Sequence, residues 1–189
     1  MEYKILTFLV ILVLLLILIL LNNRRRKEYN IFPSKIRAVC VMKNGAIDGV
    51  IYLEELSDGK TKIFGKIEGF QPNSIHAIHI HESGDLTDGC DSACAHYNPF
   101  NKKHGGPHDI ERHVGDLGNV YADQDGNILF EIVDSLVKLR GPYSVIGRSF
   151  IIHEDEDDLG KGGHSDSNTT GHAGKRLVCG VIGYANECK

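Results

Sequence analysis

Tryptophan is absent from this chain, and phenylalanine and tyrosine together make up only 7% of it. A core built with so few rings must rely on isoleucine, valine and leucine. A basic excess is missing too: the formal net charge is -4 with 24% charged residues, an ordinary soluble surface that implies no nucleic-acid partner. None of the 5 cysteines forms a Cys-x-x-Cys pair, so a thiolate metal pick-up site of that type is lacking. Glycine, by contrast, is abundant at 21 residues. Turns are therefore plentiful, and an all-β domain of short strands is favoured.

The run over 5–21 has Thr7 as its only polar member. At about 1.5 Å per helical residue it just reaches across a bilayer core of roughly 30 Å. It reads as a transmembrane anchor, with 1–4 as a short tail and 22–34 as a basic juxtamembrane linker. A secretory signal peptide is the competing reading, but the run is longer than a usual signal core and no small-x-small cleavage site precedes Asn22-Asn23. Arg24-Arg25-Arg26-Lys27 follows the run, whereas Lys4 and the terminal amine, offset by Glu2, precede it. The positive-inside rule then predicts a membrane protein whose main domain, 35–189, faces the cytoplasm. The extracellular or lumenal side is the alternative.

Beyond Pro33 the hydrophobic period changes to two. Strands are predicted at 36–42 and 47–53 around the turn Lys43-Asn44-Gly45, at 60–67 and at 75–82. Further strands at 116–122 and 128–133 flank Asp125-Gly126-Asn127, and the last two lie at 148–153 and 177–184. Between them run two long irregular stretches, 83–115 and 154–175. Loops of that length are functional or disordered, and the histidines in them argue for function. Eight antiparallel strands with two long loops predict a Greek-key sandwich or flattened barrel.

The chemistry centres on His79-Ile80-His81. Residues two apart on a strand share a face, so the two imidazoles stand side by side with Ile80 behind them. An isolated His-x-His is as often a pair of surface histidines. Here His96, His104, His113, Asp116 and His153 follow beside Gly, Pro and Asp, where tight loops can gather them.

The segments AIHIHESGD, HYNPFNKKHGGPHDIERHVGDLGNV, IIHEDEDDLGKGGH and GHAGKRLVCGVIG resemble the successive signatures of the copper/zinc superoxide dismutases, from about Lys35 to Ala185. The resemblance implies an immunoglobulin-like Greek-key barrel. It implies dismutation of superoxide to dioxygen and hydrogen peroxide by a redox-cycling copper bridged through His96 to a structural zinc. The implied copper ligands are His79, His81, His96 and His153. The implied zinc ligands are His96, His104, His113 and Asp116, three imidazoles and a carboxylate that suit tetrahedral zinc. Asp157 resembles the residue that links His79 to His104, and Cys90 and Cys179 resemble the disulfide pair. Arg176 resembles the arginine that orients superoxide, with Lys161 and Lys175 as further guides for the anion. His96 is in addition the implied proton donor.

A homodimer is also implied, with Ile146-Gly147 and Gly183-Tyr184 in the interface segments, and a copper chaperone is a possible partner. His76 has the opposite strand parity to His79 and should point away from copper; His108, His164 and His172 match no ligand position and read as loop residues. Cys40 reads as a buried thiol, whereas Cys94 and Cys188 depart from the family pattern. Asp155 and Thr169 stand where many relatives carry lysine, so weaker steering is expected. Two rival functions remain. A copper-delivery chaperone would need the missing Cys-x-x-Cys, and a non-catalytic dismutase-like module would be expected to have lost ligands.

Overall fold

Where every second side chain is apolar, a strand turns one face to a core and the other to solvent. The computed structural model describes residues 11–22 and 36–186, and this rule operates in it from Arg37 onward. There are eight strands: β1 (Arg37–Asn44), β2 (Ile47–Glu55), β3 (Thr61–Glu68), β4 (Ile75–His81), β5 (Asp116–Tyr121), β6 (Ile128–Asp134), β7 (Ser149–His153) and β8 (Arg176–Tyr184). Each lies within two residues of its predicted span. All pairings are antiparallel, in the order β5-β4-β7-β8-β1-β2-β3-β6. The two end strands are joined by the short turn after Tyr121, where Ala122 bridges Ile128. The result is a barrel-like all-β fold.

Met42, Ile51, Leu53, Ile63, Ile67, Ile78, Ile80, Ile128, Phe150 and Ile152 are fully buried in the interior. Each large aliphatic contributes about 1.5 to 3 kcal/mol by burial. In β3 the alternation is plain: Thr61, Ile63, Gly65 and Ile67 are buried, and Lys66 and Glu68 are exposed. Strands β4 and β7 break the pattern, since all of β7 and all of β4 beyond Ile75 are buried. Their outer face is covered by the segments 83–115 and 154–175. The first segment returns along β4, with Tyr97 N–H donating to Ile80 O at 2.8 Å and Ile80 N–H donating to Gly115 O at 2.9 Å. Gly115 permits this approach, because a Cβ there would lie 2.1 Å from Ile80 O. The second segment contains the one-turn helix α2 (Ser167–Thr170), which is closed by Gly171 in the left-handed conformation.

The chain divides into two units at Ile36 and Arg37, and in the first of them residues 11–22 form helix α1. Among the described residues no helix is long and apolar enough to cross a membrane. This overturns the predicted transmembrane anchor over 5–21 and the membrane localisation that followed from it. Residues 5–10 of that run, and the basic linker beyond Asn22, lie outside the described residues.

Candidate metal centre

On β4, Ile78 and Ile80 point into the barrel, which places His79 and His81 on the outer face under the two long segments. Register does the rest. His79 pairs with Asp116 of β5 on one side and with Ile151 of β7 on the other, and His81 pairs with Ser149. His153, two residues beyond Ile151, joins the same face, and His96 bridges across to His81. Four histidines from β4, β7 and the 83–115 segment thus converge in one buried group: His79, His81, His96 and His153.

A second group, His79, His96, His104 and Asp116, shares two of them. Its centre is Asp116 Oδ1, which lies 2.9 Å from His96 Nδ1, 3.0 Å from His104 Nδ1 and 3.1 Å from His113 Nδ1. His113 therefore also faces the carboxylate. The His104 contact is short, yet its Nδ1 lacks hydrogen-bond geometry to any partner, as do the buried His79 Nδ1 and His96 Nε2. Three orphaned buried nitrogens would each cost on the order of 1 to 3 kcal/mol if nothing coordinated them. Nitrogens that meet without hydrogen bonding are what metal ligands look like, so the residues fit bound ions.

The opposite ring atoms are nearly all engaged. His79 Nε2 and His104 Nε2 each meet a different oxygen of Asp157 at 2.8 Å. His81 Nδ1 lies 2.8 Å from Cys94 O, and His153 Nδ1 lies 3.4 Å from Gly174 O. His81 Nε2 and His153 Nε2 then face each other at 3.4 Å. His96 alone offers both nitrogens inward, Nδ1 to the Asp116 group and Nε2 to the other. Outer partners of this kind fix the ring orientation and tautomer of a metal ligand. Asp157 is held in turn by Asn119, whose amide donates to Asp157 O at 3.0 Å and accepts from Asp157 N–H at 2.7 Å. Gly171 lets α2 close over this carboxylate, since a Cβ would lie 2.0 Å from Asp157 Oδ1.

Burial, and then the neighbouring histidines, lower the pKa of His81 and His153 and bring His96 down to about 3. These imidazoles are neutral and offer lone pairs. Burial would also lower His104, but Asp116 and Asp157 outweigh it and raise the value to about 9. Burial alone would raise both carboxyls, yet their histidine partners hold Asp116 and Asp157 well below the usual carboxylate range.

Arg176 opens β8 directly across from His153. Its Nη1 donates to Cys90 O at 2.6 Å and Asp91 O at 3.2 Å, and its Nη2 donates to Cys94 O at 2.6 Å. Those carbonyls belong to the short 3-10 turn Asp91–Ala93 and its two flanking residues. The disulfide Cys90–Cys179 ties this turn to β8, with Cα atoms 5.6 Å apart. The expected guide lysines are engaged: Lys161 pairs with Asp109 at 2.9 Å and Lys175 approaches Glu154 at 3.8 Å.

Several other expectations can be placed. His76 turns away from the cluster, its ring 4.8 Å from Phe70 and its Nδ1 2.7 Å from His153 O. His108 is exposed, whereas His164 and His172 stack on each other. Cys40 is a buried free thiol, Cys94 an exposed one, and Cys188 lies outside the described residues. Sequence reasoning missed Asn119 and Arg112. The Arg112 guanidinium is buried against Asp134 and donates to Asp116 O at 2.9 Å and His113 O at 3.2 Å, pinning the turn that carries both side chains. Adjacency to His113 was the only available signal, and it does not reveal burial.

A barrel whose outer wall carries two buried ligand groups sharing histidines defines a binuclear metalloprotein. Residues 47–182 match the family described as copper/zinc superoxide dismutase (SODC), and the chain belongs to that family. It is similar to the copper-zinc superoxide dismutase of Paramecium bursaria Chlorella virus 1, 51% identical over 80% of each chain. It is also similar to that of Candida glabrata, 52% identical over 80% of this chain and 99% of the other. The solved structure of the clock protein EA4 superposes with a TM-score of 0.78 at 44% identity, covering 82% of this chain and 98% of that one.

Proposed function

We propose that this chain, through a Greek-key domain over 35–189, converts superoxide to dioxygen and hydrogen peroxide, with copper held by His79 Nδ1, His81 Nε2, His96 Nε2 and His153 Nε2. Zinc would be held by the Nδ1 atoms of His96, His104 and His113 together with Asp116 Oδ1. Copper would supply reversible one-electron transfer and zinc a fixed positive charge. The protein supplies geometry, charge and a proton. Asp157 orients His79 and His104, and Arg176 offers a cation beside His153 where a small anion is drawn in. His96 Nε2, whenever it is not ligating copper, is the nitrogen that can take up and return a proton for peroxide formation. One observation carries this reading: His96 turns one nitrogen to each ligand group while every other ligand ring anchors its second nitrogen outside or lies at the edge of the Asp116 group.

The partners that follow are superoxide, a copper-delivering protein that loads the site, and a second copy of this chain. The paired face would run over Ile146, Gly147 and the end of β8, where Val181 and Tyr184 expose 41% and 59% of their surface. The test is dismutase activity of the full chain together with its metal content by mass spectrometry. One copper and one zinc per chain with catalysis are expected; a chain that binds both metals and does not dismute superoxide refutes the function.

A further inference from the structure

Two histidines outside the metal centre are brought together by α2. His164 precedes this helix and His172 follows it. His164 is held by the Ser167 hydroxyl, which accepts from His164 N–H at 2.9 Å, and by Ser167 N–H, which donates to His164 O at 3.2 Å. His172 comes directly after the left-handed Gly171 and is itself at φ 53°. The two rings stack with centroids 3.7 Å apart and planes 9° from parallel. Both are exposed. Asp166 Oδ1 lies 2.8 Å from His172 Nδ1, and that hydrogen bond holds the Asp166 carboxyl below its usual range.

We propose that His164 and His172 form a second, surface site for a divalent transition-metal ion, with Asp166 as the carboxylate that orients His172. The Asp166 contact is the independent sign of a ligand. A carboxylate that accepts a hydrogen bond from the Nδ1–H of a histidine fixes the tautomer in which Nε2 carries the lone pair, the arrangement found on nearly all metal-binding histidines. Asp157 does the equivalent for His79 and His104 in the metal centre through their Nε2 atoms, leaving Nδ1 as the donor. The ring nitrogens of His164 make no hydrogen bond among the described residues, so they are available as the second donor. Lone pairs lie in the ring planes, so two stacked rings must open slightly to converge on one ion, and their exposure allows this rotation. Two imidazoles completed by water select borderline ions over magnesium or calcium, and copper(II) binds most tightly in that series. The inner side of the same turn packs on Asp157, so the ion would sit on the outer surface of the segment that covers the metal centre.

The experiment compares full-length protein, already loaded with copper and zinc, with the His164→Asn/His172→Asn double variant prepared identically. Copper(II) is added, and the extra binding is followed by equilibrium dialysis and by electron paramagnetic resonance. The wild type is expected to take up one further ion with a two-nitrogen signature, absent from the double variant, and Asp166→Asn is expected to weaken it by about tenfold or more. Retention of the original copper and zinc by the variants serves as the folding control. Equal extra binding by wild type and double variant, or none by either, overturns the proposal.

Discussion

Replacing both Cys90 and Cys179 by serine is expected to lower the stability of the metal-free protein by about 4 to 5 kcal/mol in the chain-entropy treatment. The figure follows from the sequence separation of 89 between the two cysteines. For a domain of this size each kcal/mol moves the melting temperature by roughly 2 to 4 °C, so the midpoint should fall by about 8 to 20 °C. The work should use metal-free protein, because bound ions stabilise the folded state by mass action and mask the difference. Calorimetry gives the midpoint directly. The structure adds a functional consequence. The bond holds the turn whose Cys90 and Cys94 carbonyls accept from Arg176, and Cys94 O also holds His81. The reloaded variant should therefore lose activity as well as stability, and should retain metal less well. A midpoint within 3 °C of the parent, with unchanged activity, refutes the reasoning. In Cys90→Ser alone, peptide mapping should show free Cys179; a Cys94 to Cys179 bond would show that the exposed thiol takes over.

Arg176→Ala should slow dismutation on the order of tenfold or more while copper stays bound, since the guanidinium supplies charge beside His153 and no ligand; an unchanged rate at low salt removes that role. Because Lys161 and Lys175 are matched with Asp109 and Glu154, the rate should fall only gently with ionic strength. Asp155→Lys should make it faster and the slope steeper, and a variant no faster and no steeper refutes this account of steering. Cys40 is fully buried and its thiol is pushed up to about 12. Its folded pKa exceeds the unfolded one, so its contribution is intact below about pH 8.5 and declines by roughly 1.4 kcal/mol per pH unit up to the folded value. Cys40→Ala should lose stability less steeply over that window in chemical unfolding, and parallel pH profiles refute the assignment.

Strand spacing and motif order made much of the architecture legible. His79 and His81 share a face because they lie two apart, and that parity also turned His76 toward Phe70. The covering of β4 was less visible. Its even positions look like an ordinary core, but nothing local shows that its odd positions are buried by residues such as Tyr97 and Gly115, more than a dozen positions away. The partners of charged groups were invisible for the same reason. Lys161 reads as a guide for anions until Asp109, 52 positions earlier, is found beside it. Arg112 reads as a surface residue until Asp134 closes on it. The apolar run misled in the opposite way: composition over 5–21 satisfied the length rule, yet among the described residues no helix is long and apolar enough to cross a membrane.

Asp157 is where the two ligand groups meet through the protein rather than through a shared histidine. One oxygen engages His79 and the other His104, so a single carboxylate sets the orientation of one ligand in each group. Asp157→Asn keeps the shape but replaces one acceptor oxygen by an amide that can only donate. One of the two rings must then rotate or change tautomer, turning the proton onto the nitrogen that faces the ion. Outer-partner losses of this kind cost about 10- to 100-fold in metal affinity. Asn119 and the packed Gly171 keep the backbone at 157 in place, so the fold should survive and the loss should appear as metal release. Competitive chelation should show weaker retention of at least one metal with the disulfide intact. Unchanged affinity for both, with activity also unchanged, would mean that the imidazoles are held by their strands and segments alone and that the carboxylate is incidental.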